Sequence, residues 1–396
     1  MSELDTLRSE IDEIDTQLTA LFLRRMDVTA RVGAYKQENG LPVLDEAREQ
    51  EVLARKSAAV SDPARRADVT ALYETIMGLS RRQQRNLVNE AGNEGYRQIR
   101  EAISHSRAPL TAPRVLYQGE PGAYADEAAA LFFGEDVPRA HVETWEDIFL
   151  TLREGRADYG VLPIENSSTG SISQVYDLLA QYGAYIVGEQ AVRVEHCLVA
   201  LPGACLDGIR EVCSHEQGLR QCAEFLKAHP DWRAVPRLNT AESAKYVAER
   251  GDLTLAAICS RRAARLYGLD ILAERIHFNA QNDTRFVVVS PVMERRAGCD
   301  KVSALFVLPH RSGSLHEIMT IFAVNGLNMM KLESRPIVGR SWEYLFFVDF
   351  TGDLAAPGMD GVLLELSQTA EGFRVLGNYK EACGAACSDG QGGGLK

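Results

Sequence analysis

The sequence predicts a multidomain protein of three successive fold classes: an all-α segment, then an α/β segment, then a small α+β segment of ferredoxin-like type. Three observations predict it. A heptad seam opens the chain, short apolar runs alternate with helical stretches from Arg114 onward, and the last module orders its elements strand, helix, strand, strand, helix, strand. With 396 residues the chain is too long for one ordinary core and suits two or three domains.

In the first segment Leu4, Leu7, Ile11, Ile14, Leu18 and Leu21 recur at alternating steps of three and four, which predicts one long helix over residues 3–38. Such a length suggests packing along a partner chain as well as within its own. Asn39-Gly40-Leu41-Pro42 ends it. A second helix is expected from about Asp45 to Ala58 and a third from about Ala64 to Asn89, giving a helical domain over 1–90. Residues 91–112 mix Gly, Ser and Pro and read as a linker. Across 113–292, strands such as RVLYQG, DYGVLPIE, CLVAL, EVCSH, LAAICS and RFVVVS alternate with helices, which implies a largely parallel sheet with ligands at the carboxyl ends of its strands. A polar linker at 293–300 leads to the last module at 301–381, and a Gly-rich tail occupies 382–396.

Composition narrows the function classes. Charged residues are 25% and hydrophobic residues 45%, the balance of a soluble globular protein. No run approaches the roughly 18–20 apolar residues of a membrane span, and MSELDTLRSE is charged from the start, so cytoplasm is the expected location. A net charge of −12 argues against a broad nucleic-acid surface but leaves room for small anionic substrates held by a few local arginines. The eight cysteines lack CxxC spacing and read as reduced thiols. The pair Cys383 and Cys387 has no His or third Cys to complete a metal site.

The helical seam carries an anomaly. Its continuation is Arg25, Val28, Val32 and Tyr35, so a guanidinium takes a core-type position and must meet an anion. Arg8 and Lys36 flank the seam. On the third helix the apolar stripe turns polar at Ser80 and Gln84, four residues apart and so on one face. On the second, Asp45, Arg48 and Glu49 share a face. Singly these have plain explanations: Arg25 pairing a structural carboxylate, Asp45 capping its helix, Ser80 and Gln84 covering an exposed end. Together they describe a polar, net cationic cavity inside a helical bundle. The stretches LRSEIDEIDTQLTALFLRR, VGAYK and PVLDEAREQEVL, with the late Ser-xxx-Gln, make residues 3–88 resemble the all-helical chorismate mutases. The resemblance implies that Arg8, usually from the partner chain, and Arg25 bind the two substrate carboxylates. It further implies that Lys36 and Gln84 contact the ether oxygen, that Asp45 and Glu49 engage the ring hydroxyl region, and that Arg48 and Ser80 complete the pocket.

In the α/β segment five polar loops stand at strand edges: Gln118-Gly119-Glu120-Pro121-Gly122-Ala123-Tyr124, Pro163–Gly170, Ser214-His215-Glu216-Gln217, Asn239–Ser243 and Asn282–Phe286. Each alone is a common turn or capped helix start. Their motifs GxxGAY, LPIEN, SHxQ and TRF make 113–292 resemble the prephenate dehydratases, which implies a two-lobed fold like a periplasmic binding protein with a cleft between the lobes. The resemblance implies a catalytic part for Thr284, with Glu165, Asn166 and Gln217 beside it and His215 less central. Glu165 is a candidate proton source if burial raises its pKa. Arg285 is a candidate carboxylate ligand, or equally a structural ion pair. Ala125 stands where relatives often have Ser. No cofactor is called for, because aromatisation drives the loss of carboxylate and hydroxyl.

Residues 302–381 resemble an ACT domain. Glu333-Ser334-Arg335-Pro336 carries the likeness, and Gly313-Ser314-Leu315-His316 stands where Gly-Ala-Leu-Val is more usual. The resemblance implies phenylalanine as an effector bound between paired domains, with Asn325 and Asn328 within reach; the bland reading is a dimerisation module. Homodimers or larger homo-oligomers are expected. The competing functions are an arogenate dehydratase and a non-catalytic metabolite sensor; a mutase–dehydrogenase fusion is disfavoured because no GxGxxG follows a strand.

Overall fold

In a computed structural model of the chain, the residues described are 2–87, 93–279, 281–337, 339–340 and 342–382. Cys383, Cys387 and nearly all of the Gly-rich tail lie outside them. Two compact units comprise residues 1–100, 306–327 and 357–373, and residues 101–305, 328–356 and 374–396.

The first unit opens with α1 (Glu3–Glu38), which starts on a reciprocal capping box between Ser2 and Asp5. After the predicted break come α2 (Glu46–Ala58) and α3 (Pro63–Leu87), with Pro63 at the first helical position. α3 packs along both α1 and α2. Along α1 only Gly33 is buried. The apolar seam side chains from Leu4 through Tyr35 are between 42% and 63% exposed. Among the described residues this 36-residue helix leaves an apolar face uncovered. Residues expected to form a linker instead contain α4 (Glu94–Ser104), which buries Tyr96 and Ile99. The apolar spacing 96, 99, 103 is helical, and Asn93 caps the start by accepting from the Tyr96 amide at 2.8 Å.

The second unit holds two sheets. The first runs β1 (Val115–Gln118), α5 (Tyr124–Phe133), β2 (Arg139–Val142), α6 (Trp145–Arg153), β3 (Tyr159–Asn166), β4 (Gly170–Ser171), α7 (Ser173–Tyr182) and β5 (Tyr185–Arg193). The second comprises β6 (Cys197–Ala200), β7 (Glu211–His215), α8 (Glu216–Gln221), α9 (Ala223–Lys227), β8 (Arg233–Arg237), α10 (Thr240–Arg250), β9 (Leu255–Cys259), α11 (Arg261–Leu266) and β10 (Asp270–Ala273). The chain then returns to the first sheet as β11 (Asp283–Ser290). Sheet orders are β2-β1-β3-β11-β5, with β4 on β3, and β10-β6-β9-β7-β8. The expected largely parallel sheet is therefore mixed. β1 pairs in parallel with β2 and β3, but the returning β11 inserts antiparallel between β3 and β5. Both faces of each sheet are covered by apolar clusters, which explains strands such as LAAIC that are apolar throughout.

The last module consists of β12 (Lys301–Val307), α12 (Ser314–Val324), β13 (Met329–Pro336), β14 (Tyr344–Thr351), α13 (Met359–Thr369) and β15 (Glu371–Tyr379), with sheet order β13-β14-β12-β15. The βαββαβ order matches the expectation. Its helices cluster with the first unit and most of its strands with the second.

Candidate functional site

A cleft of about 490 Å³ separates the two lobes of the α/β region. The turn from β1 to α5, the end of β3, the start of β11, and the starts of α8 and α10 all open onto it. Gly122 lets the first of these turns close: its φ is +87°, and a Cβ there would lie 2.9 Å from Ala263 Cα on α11.

Thr284 and Asn166 sit opposite each other on β11 and β3 and both face the cleft. Asn166 Nδ2 donates to Thr284 Oγ1 at 2.9 Å and to Asn282 Oδ1 at 2.8 Å. Its Oδ1 accepts from the Ser168 and Thr169 amides at 3.0 and 3.1 Å. Because Asn166 donates to the Thr284 hydroxyl, that hydroxyl keeps its own proton to offer into the cleft. Gln217 reaches Thr169 Oγ1 at 3.4 Å, and His215 caps α8 by accepting from the Gln217 amide at 3.2 Å.

Two expectations fail here for one reason, the alternation of side chains along a strand. Glu165 and Arg285 neighbour Asn166 and Thr284, so they point to the opposite face of the sheet. Arg285 does not line the cleft; it pairs with Glu165, Glu189 and Asp349 at 3.0, 3.1 and 2.9 Å. Burial pushes the Glu165 carboxyl up, but Lys331 and Arg285 outweigh it and hold the group below the usual carboxylate range. Glu165 is therefore ionised, and facing away from the cleft, and is unsuited to be the proton source. Burial pulls Arg285 down, but Asp349, Tyr379 and Glu189 together hold it firmly charged.

Sequence reasoning missed a second polar chain in the cleft. Tyr124 OH lies 3.2 Å from His196 Nδ1 and donates to Glu195 O at 3.0 Å, while His196 Nε2 lies 2.8 Å from Gln221 Oε1. The available signal was a lone His directly before the apolar run CLVA. Burial lowers the His196 pKa to about 4, so it is neutral near pH 7. Its folded pKa lies below the usual 6.5, so this stabilisation is complete above pH 6.5 and is lost as pH falls toward 4. The loss is roughly 3 kcal/mol. Melting between pH 7 and pH 4 should therefore fall more steeply for the wild type than for His196→Gln.

No Lys, Arg, Asp or Glu is among the described residues lining this cleft. Two helix starts open onto it. Ala123 and Ile172, the N-caps of α5 and α7, both line it, and neither makes a side-chain cap. The first-turn N–H groups of α5 and α7 thus receive no side-chain cap, although the Val175 amide bonds Ile172 O at 3.0 Å. Ala125 supplies no hydroxyl to compete for them.

In the helical unit Arg25 Nη1 donates to Ser80 Oγ at 2.5 Å, and Lys36 Nζ donates to Val43 O at 2.6 Å just before α2. Gln84 packs over Gly33, and a Cβ there would meet Gln84 Cγ at 2.9 Å. Gln84 Oε1 is buried without a hydrogen-bond partner, a state worth about 1–3 kcal/mol to any donor that satisfies it. Arg25 and Ser80 therefore meet, and Gln84 packs on α1 at Gly33, one turn before Lys36. The rest do not. Asp45 caps α2 through the Arg48 amide at 3.0 Å, and the Arg48 guanidinium turns to Glu51 at 2.5 Å. Glu49 is held by Arg81, which was not foreseen and which also bonds Glu317 on α12 at 2.9 Å. Arg8 lies about 26 Å along α1 from Arg25, beyond reach of the same ligand.

In the last module Gly313 caps α12 at φ +85° without a side-chain bond. Ser314 Oγ is spent on Pro309 O and Arg311 O, both at 2.8 Å, and His316 is exposed. Leu315 is half-buried. Of the second motif, Glu333 accepts from Ser171 at 2.6 Å and Arg335 forks onto Asp177 at 3.0 and 2.9 Å. Ser334 and Pro336 alternate outward.

Known proteins divide along the same lines. The chorismate mutase type II family matches residues 7–85 and the prephenate dehydratase family residues 115–294. A bifunctional chorismate mutase/prephenate dehydratase of Escherichia coli (strain K12) is 33% identical across 94% of this chain and 95% of its own. Another, from Aquifex aeolicus, is 29% identical across 96% and 99%. Among solved structures, a prephenate dehydratase from Arthrobacter aurescens in complex with L-Phe is 31% identical, with a TM-score of 0.62 over 68% of this chain and 90% of that one. A quorum-quenching acylase of 31% identity has a TM-score of 0.61 over 67% and 97%, so this fold alone does not decide the chemistry. The match that extends over both the helical pocket and the cleft does decide it: this chain belongs to the family of bifunctional chorismate mutase/prephenate dehydratases.

Proposed function

We propose that the two sites act in series on chorismate and prephenate, that the last module is an ACT domain sensing phenylalanine, and that the working form is a cytoplasmic homodimer. For the mutase step, Arg25 and the partner's equivalent of Arg8 hold the two carboxylates, and Lys36 and Gln84 meet the ether oxygen. A Claisen rearrangement needs no nucleophile. It needs the enolpyruvyl chain held over the ring and donors where charge builds as the C–O bond breaks. The exposed α1 seam supports the dimer, since a second copy of α1 would cover it. The six described cysteines are free thiols, which suits a reducing compartment.

The dehydratase reading rests above all on the Thr284–Asn166 pair facing a cleft without formal charge. Thr284 donates to the leaving hydroxyl, and the uncapped starts of α5 and α7 receive carboxylate. A cation beside the carboxylate that departs as CO₂ would stabilise the ground state more than the transition state, because negative charge leaves that group in the reaction. The cleft avoids this cost. It also lacks a lining carboxylate to pair an ammonium, which favours prephenate over arogenate, the substrate that carries one.

Incubation with chorismate, following prephenate and phenylpyruvate over time, tests the whole reading. Prephenate should rise and then give way to phenylpyruvate. Phenylalanine at millimolar concentration should slow the second phase, and an unchanged rate would remove the feedback role.

A further inference from the structure

The opposite face of the catalytic strand pair carries a buried ionic network that dehydration chemistry does not use. Arg285 is its centre. Glu189, whose side chain is 1% exposed, accepts from Arg285 and also from Lys301 Nζ at 3.0 and 3.2 Å. Asp349 accepts from Arg285 and from Ser303 Oγ at 2.5 Å, and Ser303 Oγ lies 2.6 Å from Tyr379 OH. Glu165 bridges Arg285 to Lys331 on β13 at 2.8 Å. Every strand of the four-stranded sheet thus supplies a member: Lys301 and Ser303 from β12, Lys331 from β13, Asp349 from β14, Tyr379 from β15. Backbone contact is equally close, since a Cβ on Gly377 of β15 would lie 1.9 Å from Ile186 O of β5.

The β3–β11 ladder is irregular at this point. Arg285 pairs with Glu165 but Phe286 pairs with Pro163, so Ile164 is an extra residue on β3, immediately beside the catalytic pair. The bulge re-aims the β3 side chains that face Thr284, while β11 keeps an unbroken register with β5 from Asp283 to Val288, so on the β3 side the alignment of the pair falls to side-chain ties.

We propose that Arg285 is a positioning residue for dehydration, tying the bulged β3–β11 segment to the four-stranded sheet so that the state of that sheet sets the aim of Thr284. The regulatory half of this rests on the phenylalanine-sensing reading above; the positioning half does not. A planar fork is needed because three carboxylates on three strands must be bridged at once, which a lysine ammonium bridges poorly.

The test uses the full-length protein with Asp349→Asn, which keeps shape, lies outside the cleft and removes one anchor of Arg285, and with Arg285→Lys. Both should lower dehydratase kcat by about 10- to 100-fold with KM within about twofold, the signature of lost transition-state alignment. Mutase turnover should be unchanged, which also certifies folding. By calorimetry phenylalanine should still bind Asp349→Asn, yet it should no longer alter its kcat. A raised KM at constant kcat in Arg285→Lys would place Arg285 on substrate and overturn the proposal, as would a wild-type kcat in Asp349→Asn. Should Asp349→Asn not fold, Ser303→Ala removes only the hydroxyl on Asp349 and should lower kcat about threefold at constant KM; no change would again overturn it. Failure of the wild type to bind phenylalanine would refute the effector reading and leave the kcat comparison intact.

Discussion

Replacing Thr284 by Val is expected to cut dehydratase kcat by about 10³-fold or more while mutase turnover in the same preparation stays at the wild-type level. Valine matches the shape of threonine, so the change removes one hydroxyl and little else. That hydroxyl accepts from Asn166 and keeps its proton free for the cleft. Hydroxide is a poor leaving group, and a placed donor at the departing oxygen supplies typically 10²–10⁴-fold. The alternative donors near the cleft are weaker candidates. Glu165 is ionised and faces away, and His196 is neutral, buried and already bonded at both ring nitrogens. Asn166→Ala should cost nearly as much and should not add to Thr284→Val, because the two act as one unit. Steady-state assays on prephenate decide the matter: a Thr284→Val enzyme within tenfold of wild type would remove Thr284 from the chemistry.

The contrast between Thr284 and Arg285 shows what could be read from the sequence. Helical spacing placed Arg25, Ser80 and Gln84 on inward faces, because a period of 3.6 ties sequence distance to direction. The same kind of reasoning was available for the TRF motif, since neighbouring strand residues face opposite ways, but which face met the cleft depended on β11 returning antiparallel beside β3. That pairing joins residues more than a hundred positions apart and left no local mark. Arg48 and Glu49 escaped for another reason. Sharing a face of α2 does not settle which neighbours compete for them, and Glu51 and Arg81 won. Linker composition misled at 94–104, where Gly, Ser and Pro in and around the segment masked a short amphipathic helix.

For the mutase, Lys36→Ala and Arg8→Ala should each lower turnover by about 10²–10³-fold, the usual cost of removing one donor from a developing oxyanion or one clamp on a carboxylate. Among the described residues Lys36 donates to Val43 O, a bond that a ligand oxygen can replace without disturbing a helix. Arg8 stands too far along α1 to serve the Arg25 pocket of its own chain, so in the proposed dimer its effect depends on a second copy. In a two-fold dimer with shared pockets, each site takes Arg8 from one chain and Lys36 from the other. Mixing the two inactive variants after reversible dissociation should therefore restore activity. Half of the re-formed dimers would be mixed, and each mixed dimer would carry one intact and one doubly damaged pocket. Recovery should approach roughly a quarter of the wild-type rate. Were both residues to act within one chain, no mixture could recover, because every pocket would keep one lesion. Ile14→Glu on the exposed seam should separate the copies in solution and abolish mutase turnover. Dehydratase turnover, which depends on a cleft built within one chain, should survive.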